Sequence, residues 1–368
     1  MTSIYEKAAK DLMDDGVCIL RDVIPLEQVE DLRKSLEDVF NRTTQSQKTN
    51  GARTDMTKAA NHLRSICKGH LILEEKLEEG DTTASTGGRY LTELEAGRWH
   101  EGVKHFEHHS KLPFAVAQVL EEPSHLHFYM DHIFLKEAGS MLKTAWHQDA
   151  PYFPFECNAN DPNPGKAAVC WVPVDIVVAN SGGMRYIKGS HKWREYAPNV
   201  LITNDAFDQN RKVPCLPDIY EGIKNGKYTI IQFQNVKPGD VIIHHPNCVH
   251  GSGAIISSTH RRLAASIRYV GSNIKWLNKS TNPNGYDLVK HWSINREANV
   301  LSQIIKRFGR LLGLINKEDF YSSAGTWATK EMKNGYTFHE IDIARVAFPI
   351  VWRKHKDSVK NDTRRSTL

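Results

Sequence analysis

The N-terminal part of the chain alternates between helical and extended hydrophobic patterns. Apolar residues recur at helical spacing over residues 4–14, and Gly16 follows as a helix stop signal. The short apolar run at residues 17–20 predicts a strand. Pro25 precedes a second amphipathic stretch that reaches Phe40, and it predicts a helix that begins close to this proline.

Between residues 125 and 275, short segments rich in β-branched and aromatic residues are separated by Gly, Pro and Asn. Many short strands between turn signals are typical of a β-sandwich or barrel. The clearest strand candidates are residues 127–129, 168–174, 241–243 and 263–270. We therefore predict a mainly β core with helical additions.

A chain of 368 residues can hold one large domain or two ordinary ones. We predict a single domain over residues 1–368, in which a mostly helical part (1–124) leads into the β core (125–275) and then into a C-terminal helical and loop part (276–368). An irregular insertion is expected at residues 195–228. Two polar loops and one more helix are expected at residues 43–51, 81–88 and 300–314.

The composition is that of an ordinary folded protein, with 40% hydrophobic and 25% charged residues. The net charge of +5 is mild, and no basic stripe is interleaved with aromatic residues, so we expect no nucleic-acid partner. None of the six cysteines forms a CxxC pair, which favours free thiols in a reducing compartment. We find neither a signal peptide nor an apolar run long enough to cross a bilayer. We expect a cytoplasmic protein with no membrane partner, and the sequence leaves its oligomeric state open.

Candidate metal ligands stand in the segment Trp146-His147-Gln148-Asp149. Side chains alternate along an extended segment, so His147 and Asp149 point to the same face and can reach one metal ion. A distant second histidine would complete a triad that leaves positions open on octahedral iron(II). The His-x-Asp motif alone is weak, because about one chance match is expected among 18 histidines at typical residue usage. A second match, at residues 355–357, lies in a charged tail and is interpreted as accidental.

The second anchor is the segment at residues 239–253, where an apolar strand runs into a Gly-rich bend. This pattern places His250 at a strand end, and the small residues after it would let the backbone pass close to a metal. His244 and His245 are interpreted as buried, hydrogen-bonded strand residues. His250 is therefore the candidate third ligand, and the resemblance described next strengthens that assignment.

Together these segments resemble the phytanoyl-CoA dioxygenase family of iron(II)/2-oxoglutarate oxygenases. The resemblance implies a double-stranded β-helix core of the jelly-roll, cupin-like kind, with iron(II), 2-oxoglutarate and O2. It also implies that His147, Asp149 and His250 hold the iron. The matching segments are residues 15–25, 136–140, 146–149, 184–193, 250–253, 262–269 and 348–352.

The distal carboxylate of 2-oxoglutarate needs a cation, and arginine offers a bidentate fork. Family members place this arginine at a set distance after the distal histidine, and both Arg261 and Arg262 qualify here. Only one of them can point inward from a strand. Counting forward from His250 favours Arg261, whereas counting back from residues 266–269 favours Arg262 and places Ser266 on the same face. We favour Arg262.

Other residues have weaker assignments. Gln148 would point away from the ligand face, where it either packs the strand or supports the metal site from behind. Lys136, Lys143 and Tyr129 are candidates near the co-substrate, with structural roles as the alternative. His191 is interpreted as supporting a turn.

The resemblance implies an enzyme that oxidises an unactivated C–H bond of a small-molecule metabolite and releases succinate and CO2. Hydroxylation, desaturation and oxidative cyclisation stay open, while a carboxylate at Asp149 disfavours halogenation. A basic active-site mouth would favour an acidic substrate. Its cations are Lys136, Lys143, Arg185, Lys188 and Arg268, with Arg261 or Arg262. The alternatives are a cupin-like metal enzyme that does not use 2-oxoglutarate, a non-catalytic β-helix binding protein, and a hydroxylase of protein or nucleic acid.

Overall fold

The computed structural model describes residues 3–42, 52–58, 87–122, 124–153, 155, 166–196, 214–275 and 348–354. The α-helices in this part are α1 (Ile4–Asp15), α2 (Leu26–Asn41), α3 (Glu101–His109), α4 (Leu112–Val119) and α5 (Ile219–Lys224). The first six strands are β1 (Val17–Leu20), β2 (Ala52–Asp55), β3 (Tyr90–Leu94), β4 (His125–Lys136), β5 (Thr144–His147) and β6 (Ala167–Pro173). The other strands are β7 (Met184–Ile187), β8 (Ile230–Ile231), β9 (Val241–His244), β10 (His250–Ser252), β11 (Arg262–Gly271) and β12 (Ile350–Arg353).

Some predicted elements lie outside the described residues. These are the loop at residues 43–51, most of the loop at residues 81–88, residues 197–213 of the insertion and the helix at residues 300–314. The later part of the insertion contains the short helix α5. No helix in the described part of the chain has the length and apolarity needed to cross a membrane.

The N-terminal prediction is confirmed, because local signals fix these elements. Helix α1 begins where the Ser3 hydroxyl accepts from the backbone N–H of Glu6, while the Glu6 carboxylate accepts from the Ser3 N–H. It ends at Gly16, whose φ of 85° is left-handed and favours glycine. Strand β1 follows directly, and α2 starts after Pro25.

Two antiparallel sheets form the β core. The major sheet has the strand order β1-β9-β6-β11-β4-β3-β2, and β12 also pairs with β4. The minor sheet has the order β5-β10-β7-β8. Neighbours in each sheet are mostly distant in sequence, which is the connectivity of a double-stranded β-helix. The predicted fold class is therefore confirmed.

The helices pack against the outer face of the major sheet. Alternate positions of β11, such as Leu263 and Ile267, join an apolar cluster with Leu32 of α2 and Val116 of α4. Burying each such side chain stabilises the fold by about 1.5–3 kcal/mol. The positions between them in β11 point to the inner face, and several of those are polar.

Candidate metal centre

The two histidines of the predicted triad are neighbours in the minor sheet. His147 ends β5 and His250 begins β10, and they are direct partners in the antiparallel pairing. Their ring centroids lie 4.2 Å apart. Gly251 is needed for the close pairing, since a Cβ there would meet the carbonyl oxygen of Thr144 at 2.7 Å. The glycine therefore lets two strands approach each other, whereas the sequence pattern had suggested an approach of backbone to metal.

Each of these histidines is fixed in one tautomer. Nδ1–H of His147 donates to the carbonyl of Ala145 at 2.8 Å, and Nδ1–H of His250 donates to the carbonyl of Cys248 at 2.9 Å. A carbonyl oxygen only accepts, so both Nδ1 atoms carry the proton and both Nε2 atoms keep a lone pair. Hydrogen bonds of this kind orient imidazole ligands toward a metal ion.

Asp149 follows β5 and completes the group. Its backbone N–H donates to the carbonyl of Pro246 at 2.9 Å, which ties it to the loop that leads to His250. Its Oδ1 lies 3.6 Å from Nε2 of His147, and its Oδ2 lies 4.0 Å from Nε2 of His250. Oδ2 is buried and accepts no hydrogen bond within the described residues. Because the ligand atoms lie within 4.8 Å of one another and two histidines with one carboxylate are a ligand set typical of non-haem iron(II), the three groups fit an iron(II) ion.

The protonation states suit metal binding. Burial alone would raise the pKa of Asp149, but Arg268, His147 and His244 hold that pKa well below its ordinary value. Burial, together with His147 and His244, lowers the pKa of His250 well below its ordinary value. Asp149 is therefore an anion and His250 a neutral imidazole, which are the forms that ligate a metal.

A pair of buried cations lies on the facing sheet. Lys136 of β4 and Arg262 of β11 are direct cross-strand partners, so their side chains leave the sheet on the same face. Nζ of Lys136 donates to Oγ of Ser252 at 3.0 Å and to the carbonyl of Gly253 at 3.1 Å. Because Ser252 and Gly253 come directly after His250 and its glycine, this face of the major sheet is the one toward the minor sheet and the triad.

The two neighbouring arginines occupy opposite environments. The Arg261 side chain is 42% exposed and pairs with Glu37 and, at 3.3 Å, with Asp175. Arg262 is buried, and its Nη1 donates to the carbonyl of Gly182. Gly182 has a φ of 72°, so this carbonyl is presented by a turn that favours glycine.

Two of the weaker candidates have structural contacts. Gln148 donates through Nε2 to the carbonyl of Asn247 at 2.9 Å and accepts through Oε1 from the N–H of Tyr196 at 2.9 Å. These bonds join the two loops beside the triad, so Gln148 packs the strand end. Tyr129 is buried in an aromatic cluster, with its ring 5.4 Å from that of Phe153.

Other predicted residues divide between the inner face and the surface. Ser266 lies on the same face of β11 as Arg262, and Lys143 is buried just before β5. Lys188 does not join the inner group. Its side chain is largely exposed and lies 3.3 Å from a carboxylate oxygen of Asp15, because the turn after β7 directs it toward α1.

Sequence reasoning missed two inward residues. His244 is a buried strand residue, as predicted, but neither ring nitrogen has a hydrogen bond in the described part of the chain, and Nε2 lies 3.7 Å from Oδ2 of Asp149. The second residue is Trp171 of β6. The guanidinium carbon of Arg262 lies over its ring, 5.7 Å from the ring centroid. For His244, the alternation of side chains along the strand was the available signal. Ile243 packs toward the helices, so the adjacent His244 faces the opposite, inner side.

A model of the phytanoyl-CoA dioxygenase (PhyH) family matches residues 12–263, which include the triad and both arginines. The chain belongs to the phytanoyl-CoA dioxygenase family. It is accordingly an iron(II)- and 2-oxoglutarate-dependent oxygenase that uses O2. The family resemblance that the sequence motifs carried is thereby confirmed.

Two solved structures are similar to this family member at low sequence identity. The epimerase SnoN, in complex with Fe3+, alpha ketoglutarate and nogalamycin RO, is 18% identical, with a TM-score of 0.50, and the match covers 77% of this chain and 87% of that chain. EctD from S. alaskensis, with 2-oxoglutarate and 5-hydroxyectoine, is 16% identical, with a TM-score of 0.46 and coverage of 73% and 77%. No curated protein matches the chain significantly.

Proposed function

We propose that this oxygenase oxidises an unactivated C–H bond of a small-molecule metabolite and releases succinate and CO2. The main support is the position of the triad, His147, Asp149 and His250, opposite the buried cations Lys136 and Arg262. A metal site and a cationic site on facing sheets suit a co-substrate that has a chelating end and a distal carboxylate. A cupin-like metal enzyme that does not use 2-oxoglutarate would have no need for the second site.

In this proposal His147, Asp149 and His250 hold iron(II), which together with 2-oxoglutarate and O2 supplies the oxidising power. The protein contributes ligands, orientation and a site with little water. All three ligand residues are buried, with between 4% and 7% of each residue exposed, so solvent reaches them only slightly. Asp149 occupies the ligand position that a halide would need, so the proposed outcome is hydroxylation, desaturation or oxidative cyclisation.

Arg262 is the proposed anchor for the distal carboxylate of 2-oxoglutarate. Its guanidinium is buried, lies over the ring of Trp171 and donates to the Gly182 carbonyl. Ser266 on the same face is the proposed additional contact. Arg261 is a poor candidate, because it is engaged at the surface by Glu37 and Asp175.

For the substrate we propose a small acidic molecule. Burial lowers the pKa of Lys136 well below its ordinary value, and the charged neighbours that add to this effect are all cations: Arg262, Arg185 and Lys143. Cations grouped around the proposed co-substrate anchor would attract an anionic substrate.

The test is succinate release under iron(II) and ascorbate, measured with and without candidate metabolites. We expect succinate and oxidised product in equal amounts, both dependent on added 2-oxoglutarate. Product formation without 2-oxoglutarate would favour the cupin-like alternative. Tight metabolite binding without succinate release under any condition would favour a non-catalytic binding protein.

A further inference from the structure

His244 and Arg268 occupy equivalent places on the inner face of the major sheet. His244 of β9 is the cross-strand partner of Val169 in β6, and Val169 is in turn the partner of Arg268 in β11. Residues that are partners across neighbouring strands project from the same face. The two side chains therefore flank Val169 and point toward the minor sheet.

Both side chains converge on the same carboxylate oxygen. Nε2 of His244 lies 3.7 Å from Oδ2 of Asp149, and Nη2 of Arg268 lies 3.6 Å from the same atom. Arg268 is held in place because its Nη1 donates to the carbonyl of Ser266 at 3.1 Å. Both distances are just beyond hydrogen-bonding range, so a small movement of the carboxylate completes both contacts.

Buried polar atoms without hydrogen bonds destabilise the folded protein unless they gain a partner. His244 is 1% exposed, and neither of its ring nitrogens has a hydrogen bond in the described ranges. An imidazole with two unsatisfied nitrogens in a buried strand is unfavourable, whereas an apolar residue of similar size would pack there without cost. Oδ2 of Asp149 is likewise buried without a hydrogen bond.

We propose that His244 and Arg268 form a clamp that holds Oδ2 of Asp149 and presents Oδ1 to the metal. This inference rests on the proposed metal site. Oδ1 lies 3.6 Å from Nε2 of the triad residue His147. Oδ2 lies nearer to the two donors, at 3.7 and 3.6 Å, than to Nε2 of His250, at 4.0 Å. A carboxylate held at one oxygen would bind a metal through the other oxygen only, which would leave one more coordination position for co-substrate and O2. His244 and Arg268 are thus positioning residues.

The experiment compares His244→Phe, which removes the donor, with His244→Gln, which keeps one. Anaerobic iron(II) titration should show affinity about 10–100-fold weaker for His244→Phe, the range typical of lost contacts to metal ligands. His244→Gln should recover most of that loss. The charge-transfer absorption of the iron(II)·2-oxoglutarate complex should shift in His244→Phe and return in His244→Gln, which a packing role would not produce. Thermal unfolding shows that each variant is folded.

Control variants distinguish failure of the clamp from failure of the metal site. His191 is another buried histidine, and its Nε2–H donates to the carbonyl of Met13 at 3.0 Å. His191→Gln should keep wild-type iron affinity. Arg268→Gln tests the other half of the clamp should His244→Phe not fold, and it should weaken iron binding similarly. Wild-type iron affinity in His244→Phe, or a loss that His244→Gln does not recover, would overturn the clamp. Wild-type affinity in His147→Ala would instead overturn the metal site itself.

Discussion

Lys136 and Arg262 lie directly opposite each other in neighbouring antiparallel strands, and both side chains are buried. Like charges at such a position destabilise a sheet. Burial and the nearby Arg262 lower the pKa of Lys136 well below its ordinary value, so a second charge beside the arginine is disfavoured in the unliganded protein. A bound dicarboxylate would stabilise the protonated lysine, so the pair suits a site that holds an anion.

Arg262→Ala should weaken the binding of 2-oxoglutarate. Leaving a buried carboxylate unpaired costs about 2–5 kcal/mol, which corresponds to an affinity at least about 30-fold lower. The measurement is the rise in melting temperature with increasing 2-oxoglutarate, since a ligand that binds only the folded state raises stability.

Arg261→Ala is the matched control for that change. It breaks a surface pairing with Glu37 and Asp175, and exposed ion pairs contribute about 0–1 kcal/mol. We expect 2-oxoglutarate binding close to wild type. If Arg261→Ala impaired binding and Arg262→Ala did not, the proposed register of the anchor would be wrong.

His147→Ala, Asp149→Ala and His250→Ala should each abolish turnover and weaken iron(II) binding. A triad that leaves positions open for co-substrate and O2 has no spare ligand. Anaerobic iron titration and succinate release give the two measurements. His105→Ala, which changes an exposed histidine of α3, should affect neither, and full activity in any triad variant would contradict the assignment.

Much of the fold and the triad could be predicted, because their signals are local. Gly16 and Pro25 mark helix ends through backbone conformation alone. His147 and Asp149 share a face because strands have a period of two, and counting back along β11 identified the buried arginine. These predictions needed no knowledge of which strands are neighbours.

The remaining features depend on sheet pairing, which a single sequence does not display. Strand β4 is far longer than the predicted residues 127–129, because its inner face carries His132 and Lys136 and therefore lacks a hydrophobic alternation. His244 is set against Asp149 by strands that are distant in sequence. Lys188 was expected at the active-site mouth, but the turn after β7 directs it toward Asp15.

Gly251→Ala should impair both stability and iron binding. The added Cβ would lie 2.7 Å from the carbonyl oxygen of Thr144, so β5 and β10 must separate and the two histidines with them. Forcing an atom into a packed site costs about 1–3 kcal/mol. Gly253→Ala is the matched control, because its Cβ would meet only the Gly182 Cα, at 3.9 Å. Equal melting temperatures and iron affinities for the two variants would argue against this role.

Glu107→Gln should make the protein more stable at alkaline pH. Burial, together with the Asp131 carboxylate, raises the pKa of Glu107 well above its ordinary value, while Asp131 accepts from the N–H groups of Ala96 and Gly97. The proton therefore resides on Glu107, and the protonated carboxyl donates a hydrogen bond to the Asp131 carboxylate. A raised folded-state pKa means that stability falls as pH rises from about 4.3, the ordinary value for glutamate, through that raised pKa.

Glutamine keeps the donor and cannot ionise, so its advantage should grow with pH and vanish in acid. Thermal unfolding across neutral to alkaline pH gives the measurement. Glu101→Gln, on the exposed face of the same helix, should leave the pH profile unchanged. A wild-type profile for Glu107→Gln would mean that the buried carboxyl pair does not share a proton in this way.

The preference for an acidic substrate should depend on ionic strength. Lys136 has three cationic neighbours, Arg262, Arg185 and Lys143. These cations should speed the capture of anionic substrates at low salt, and screening should reduce that advantage as salt rises. We expect succinate release to be faster with an acidic metabolite than with a neutral analogue of the same size, and the difference to shrink at high salt. Lys143→Met should reduce the difference at low salt while 2-oxoglutarate binding, followed by thermal unfolding, stays near wild type. Equal turnover of acidic and neutral analogues at both salt levels would show that the inner cations serve the co-substrate alone.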